Sequence, residues 1–234
     1  MAGRPLALIA GLGDGLGVSL TGVLSAAGYD VTALSRSGRA AAAAAAEAER
    51  AGGAFTHYAC DLTKHAEVAA TVAPIAKRID VLVHTAHAIL IRPFAETSPE
   101  EFEAVWRAGC LSAMNVASII VPEMAARRQA TAIFTGATAS IRGGAKFPAF
   151  ASAKFALRGF AQALAREMGP KGVHIAHVIV DGLIDEPQTT QRFGSASSTR
   201  IDPEAIAATY LNIVRQPPSA WTHELDLRPS SESF

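Results

Sequence analysis

From end to end the chain alternates short, apolar, β-rich runs with longer stretches of helical character, and that alternation leaves few folds open. Strands are expected at 6–10, 31–34, 55–59, 81–85, 132–135, 174–180 and 224–227. Helices are expected between them, over about 16–27, 39–51, 66–78, 98–124, 149–168 and 202–215. Local signals mark several ends. Ser98 ahead of Pro99 is an N-cap followed by proline at the first helical position, and Gly169-Pro170 is a stop. The alanine-rich 39–51 stretch has high helix propensity and reads as a solvated helix. The polar 185–200 stretch reads as a mobile loop or lid. Strands joined through helices pair in parallel by right-handed crossovers. The expectation is an α/β doubly wound parallel sheet of about seven strands with helices on both faces. Its ligand crevice should lie beyond the carboxyl ends of the strands. No linker or repeat interrupts the pattern, so residues 1–234 read as one domain.

Composition narrows the partners. Half the residues are hydrophobic and 18% are charged, the profile of a folded chain with a sizeable core. Lys+Arg and Asp+Glu balance at 21 each, which removes the electrostatic argument for nucleic acid or an anionic membrane. Cys60 and Cys110 follow no ligand spacing and read as buried free thiols in a reducing compartment, hence a cytoplasmic chain. Two His-x-x-His pairs invite a metal reading. His174 and His177 lie on a strand, where odd separation sends side chains to opposite faces. His84 and His87 have no third ligand in view, so no metal is expected.

The strongest chemical signal follows the first strand: Ala10-Gly11-Leu12-Gly13-Asp14-Gly15-Leu16-Gly17. Glycines let the backbone turn tightly and approach a diphosphate, and the helix N-terminus offers free N–H groups and positive dipole character. A Cβ at Gly15 or Gly17 would then occupy space that the phosphates need. A strand before the loop and a helix after it are the context of a Rossmann-type dinucleotide site. At the end of the second strand an acidic residue would hold a free ribose 2′-OH, and a basic one would suit a 2′-phosphate. Ser35-Arg36-Ser37 carries no carboxylate, which favours NADP, with NAD as the alternative.

These residues resemble the short-chain dehydrogenase/reductase superfamily along nearly the whole chain. Gly11-xxx-Gly15-x-Gly17 has that family's spacing. Cys60-Asp61-Leu62 is similar to its adenine-binding motif, and Asp181-Gly182 stands where its Pro-Gly follows the sixth strand. The resemblance implies cofactor contacts at Gly11, Gly13, Asp14, Gly15, Leu16, Gly17, Arg36, Asp61, Leu62, Ala86, Lys154, Gly182 and Ile184. It also implies a homodimer or homotetramer acting on a small molecule.

In the family a Tyr protonates the substrate oxygen, a Lys lowers its pKa and holds the nicotinamide ribose, and Ser and Asn assist. Only Lys154 matches. Phe150 takes the tyrosine's place one helical turn away, Ala137 the serine's and Gly109 the asparagine's. The family's Asn-Asn-Ala-Gly is here His84-Thr85-Ala86-His87. Phenylalanine has no proton to give, and one acid–base group contributes about 10²–10⁴-fold. Thr138, Ser140 and His87 are nearby substitute donors. Alternatively the acceptor needs no acid, as with a cationic C=N bond, and Asp181, Asp185 and Glu186 would stabilise the cation. Thus Lys154, Phe150, Thr138 and Asp181 are the expected chemical residues of an oxidoreductase. A non-redox lyase or isomerase, or a cofactor-binding partner subunit, are the alternatives.

Overall fold

The computed structural model describes residues 3–194 and 199–231. Its centre is a seven-stranded, wholly parallel sheet in the order β3-β2-β1-β4-β5-β6-β7. The strands are β1 Leu6–Ala10, β2 Asp30–Ser35, β3 Phe55–Ala59, β4 Ile79–His84, β5 Ala130–Thr135, β6 Val173–Val180 and β7 Glu224–Leu227. Several begin before their apolar run because a neighbour extends the ladder, as where Asp30 pairs with Leu6 and Val173 with Ala130.

Side-chain alternation along each strand builds two cores. Leu6, Leu8 and Ala10 of β1, with Leu82, Ala132 and Phe134, face the helices α3 His65–Val72, α5 Ser112–Arg127 and α6 Pro148–Met168. Ala7 and Ile9, with Val83, Ile133 and Val178, face α1 Leu16–Ala26, α2 Ala41–Arg50 and α8 Pro203–Val214. Leu16, Leu20 and Leu24 recur at helical spacing and are the buried stripe of α1. The alanine-rich α2 is seated by Ala44 and Ala48. The expected doubly wound sheet with helices on both faces is therefore the observed one.

The expected helix 98–124 is two helices. Ser98 and Glu101 form a reciprocal capping box at the start of α4 Pro99–Trp106. A π-helical turn, Arg107–Leu111, separates it from α5. The buried Gly109 in that turn meets α6, where a Cβ would come within 3.0 Å of the Ala153 Cβ. The stretch Pro99–Arg127 has the length and hydropathy of a membrane-crossing helix. Its Val116, Ile120, Val121 and Met124, however, are fully enclosed in the core. In place of a loop, the segment after β6 contains a short helix, α7 Pro187–Phe193, while residues 195–198 of the expected 185–200 lid lie outside the described residues.

Candidate active site

The strand order reverses between β1 and β4, so their crossovers leave on opposite faces and a crevice opens at their carboxyl ends. A cleft of about 770 Å³ lies there. The glycine loop forms one wall, and its glycines have different tasks. Gly11 has φ +114°, and a Cβ on it would strike the backbone nitrogen of Ala86. That nitrogen donates to the Ala10 carbonyl at 3.1 Å, and the Thr85 hydroxyl donates to the Gly11 carbonyl at 2.7 Å. The turns after β1 and β4 therefore interlock. Gly17 is buried, and a Cβ there would lie 3.1 Å from Leu12 Cδ1. A Cβ at Gly15 would strike the Glu186 side chain. Only Gly13 both lines the cleft and has nothing within 4 Å of its Cβ position. At Gly15 and Gly17 the missing side chains leave room for the side chains of Glu186 and Leu12.

At the far end of the cleft, beyond β2, stand Ser35, Arg36 and Ser37. Arg36 is exposed, and its guanidinium makes no hydrogen bond or ion pair among the described residues. Arg39, which sequence reasoning missed, also lines the cleft and pairs with Asp14 at 2.8 Å. The loop's one carboxylate is thus already compensated. Asp61 is held by the Thr63 amide and hydroxyl at 3.0 and 2.8 Å. Leu62 beside it is buried, and its carbonyl accepts from Asn115 Nδ2 at 2.9 Å. Leu16, Leu62, Ala86, Gly182 and Ile184 line the cleft as well, and Ile184 bridges to Ile201.

Lys154 and Phe150, one turn apart on α6, both face the cleft. Lys154 is 2% exposed, its Nζ donates to the Thr135 carbonyl at 2.7 Å, and it stands 5.8 Å from the centroid of the Phe150 ring. Burial lowers its pKa to about 8. The sign of the consequence is fixed. The unfolded chain, with its ordinary value of 10.5, binds this proton more tightly than the folded protein does. Stability should therefore rise with pH from about 8 to about 10.5 and be indifferent to this group below that window. Urea titrations across that range should show the parent gaining on Lys154→Met by on the order of 3 kcal/mol. A constant difference would show that the folded lysine titrates normally.

The substitute proton donors are already engaged. Thr138 lines the cleft, but its hydroxyl donates to Asp181. Ser140 is fully buried and accepts from the Ala137 amide at 3.1 Å, turned away from the cleft. His87 packs 6.2 Å from the Phe150 ring, and its Nδ1 lies 3.0 Å from the Thr85 carbonyl, which can only accept. Nδ1 therefore carries the proton and Nε2 is an acceptor. His87 is exposed in the open cleft, yet desolvation by the surrounding protein atoms, and then the Lys154 charge, hold its imidazole below its ordinary pKa. The carboxylates expected to stabilise a cation are also committed. Asp181 is 3% exposed and pairs with Arg228 at 3.2 Å, beneath the cleft and not on its lining. Asp185 pairs with Arg200 at 3.2 Å. Only Glu186 of that cluster reaches the cleft.

The other histidines of the two His-x-x-His pairs have structural partners. His84 Nε2 lies 2.9 Å from Ser112 Oγ, His177 Nδ1 lies 3.2 Å from Glu224, and His174 stacks on Trp221 at 4.8 Å. Among the described residues no group of three His, Cys, Asp or Glu converges as a metal centre. Cys60 and Cys110 are free and buried.

Comparison with known proteins bears on this arrangement. The chain is 28% identical over 227 residues to 2-dehydro-3-deoxy-D-gluconate 5-dehydrogenase of Pseudoalteromonas atlantica, covering 95% of this chain and 85% of that one. It is 35% identical to a short-chain dehydrogenase structure from Rhodopseudomonas palustris, with a TM-score of 0.83 and coverage of 96% and 98%. A metagenomic short-chain oxidoreductase solved with NADP shares the fold at 23% identity, with a TM-score of 0.83 and coverage of 98% and 99%. The family model for short chain dehydrogenases matches residues 5–195. Since that match runs from β1 through α7 and takes in the glycine loop, the β4 turn and Lys154, the chain belongs to the short-chain dehydrogenase family.

Proposed function

We propose that this chain is an NADP(H)-dependent oxidoreductase whose acceptor takes hydride without a tyrosine acid. The observation that carries the reading is the pairing, in one cleft, of the unobstructed Gly13 at the start of α1 with a buried Lys154. A lysine so enclosed is costly to keep unless a ligand uses it. The residues fit a nicotinamide dinucleotide. Gly13 and the start of α1 would face the diphosphate, Arg36 the 2′-phosphate and Asp61 with Leu62 the adenine. Lys154 would hold the nicotinamide ribose, beside Ala86, Gly182 and Ile184. The NADP in the metagenomic relative supports the choice of dinucleotide. Bound there, the dinucleotide supplies the hydride.

Around Lys154 the chain's own side chains provide shape, a cation and an acceptor. Phe147, Phe150 and His87 make an aromatic wall with ring centroids 6.2–6.4 Å apart. With Thr138 engaged, Ser140 off the cleft lining and His87 neutral, Lys154 is left, of these candidates, with a proton to offer. A cationic C=N acceptor suits this site, because hydride addition to an iminium yields a neutral amine with no proton transfer. An iminium N–H could also donate to His87 Nε2. Phe102, Met114 and Phe155, exposed on α4, α5 and α6, support association of copies through those helices.

Titration with NADPH and NADH, followed by a screen of carbonyl, enone and imine acceptors for NADPH oxidation, tests the reading. Turnover of imines but not simple ketones is expected. Tight NADPH binding with no turnover on any acceptor would favour a cofactor-binding partner subunit. NADPH should also bind more tightly than NADH, and Arg36→Asp should reverse that order by about tenfold or more in each direction. Equal affinities in the parent would remove the assignment of NADP.

A further inference from the structure

Of the three carboxylates that line the cleft, Asp14 pairs with Arg39 and Asp61 lies 3.9 Å from Lys64, which leaves Glu186 to oppose an anionic ligand. This residue is extended backbone at the N-cap of α7, and its side chain reaches across to the glycine loop. A Cβ on Gly15 would strike both its Cβ and its Oε2, so its carboxylate lies against the start of α1, where the Leu16 backbone N–H favours its charged form. Leu16 is the first residue of α1. That helix otherwise starts bare, with Gly15 as N-cap, no side-chain cap and no acidic residue in its first turn. Glu186 thus supplies the negative charge and acceptor that the free N–H groups of a helix start favour. It has no cationic partner of its own among the described residues, and Asp14 beside it is taken by Arg39. Burial, and then the Asp14 charge, push its carboxyl above the ordinary value, so the contact is made under opposition.

We infer that Glu186 is an internal occupant of the phosphate cradle, which a dinucleotide diphosphate must displace to reach the Leu16 N–H. The inference rests on the dinucleotide reading and goes beyond it by naming the residue that sets the affinity. Because α7 follows Glu186 directly and brings Gln188, Thr189 and Phe193 to the cleft, cofactor entry also shifts the wall nearest the substrate.

Glu186→Ala empties the cradle, and Glu186→Gln keeps the shape without the charge. NADPH fluorescence titration and calorimetry with inorganic pyrophosphate read the diphosphate site. Adenosine 2′-monophosphate, which lacks a diphosphate, reads the Arg36 end as a control. Glu186→Ala should bind NADPH and pyrophosphate about tenfold more tightly than the parent, with Glu186→Gln between them and the control ligand unmoved. If the parent binds NADPH and folded Glu186→Ala binds it equally or less well, the inference falls and the dinucleotide reading stands. An equal gain for adenosine 2′-monophosphate would also overturn it, since that is the mark of a general charge effect. If neither parent nor variants bind NADPH or NADH, both fall. Binding by the variants alone would support both.

Discussion

Phe150→Tyr should give this protein carbonyl reduction that the parent lacks, by up to about 10²–10⁴-fold over its background on simple aldehydes and ketones. Phe150 lines the cleft, 9% exposed, with the Lys154 Nζ 5.8 Å from its ring centroid. A phenol in that slot lies beside an ammonium, which stabilises its phenolate and lowers its pKa toward the working range. The substitution adds one oxygen to a ring whose place and neighbours are set by His87 and Phe147. The gain should stay below the ceiling because Ala137 and Gly109 cannot steady the substrate oxygen or the lysine. Turnover of an imine, if the parent has it, should change little, because that reaction never needed the proton. A folded, NADPH-binding variant with no gain on any simple carbonyl would count against a reductase cleft altogether. A parent that already reduces ketones well would defeat the argument from the other side, since Lys154, or one of Thr138, Ser140 and His87, would then have to donate.

Gly13→Val should abolish dinucleotide binding while leaving the fold intact. Nothing lies within 4 Å of the Gly13 Cβ position, and its backbone is outside the left-handed region, so a Cβ there meets no protein atom. The branched side chain would instead fill the space where the diphosphate meets the loop. An NADPH affinity reduced by well over tenfold, with unchanged thermal unfolding, is the expected pair of results. Gly11→Val should behave in the opposite way. It puts a β-branched residue at φ +114° and drives a Cβ into the Ala86 backbone, at a cost on the order of 3 kcal/mol or more. Lost binding in that variant should therefore come with lost stability. If Gly13→Val still binds NADPH normally, the loop is a turn and no cradle.

The parts of this protein that repeat with a local period were legible in its sequence. Leu16, Leu20 and Leu24 recur at helical spacing, β1 and β3 fall on their apolar runs, and the Ser98–Glu101 box is a pattern of neighbours. The lysine one turn from Phe150 and the glycines after β1 belong to the same class, since a few residues of chain fix their relation. The π turn at Arg107–Leu111 left no such mark, because it answers to the close approach of Ala153 from α6.

Tertiary structure decided what each polar group in the cleft is free to do. Asp181 looked available beside its neighbours in the chain, yet it meets Arg228 and Thr138, which lie 47 and 43 residues away. Asp14 is compensated by Arg39 across a strand and a helix, and Gly11 owes its identity to Ala86 in the turn after β4. Glu186 meets Gly15 only because the segment after β6 folds back toward β1's loop, past the β4 and β5 that separate the two strands in the sheet. A hydrogen bond or an ion pair depends on distances through space, and the chain order that encodes helix and strand periods carries no direct record of them.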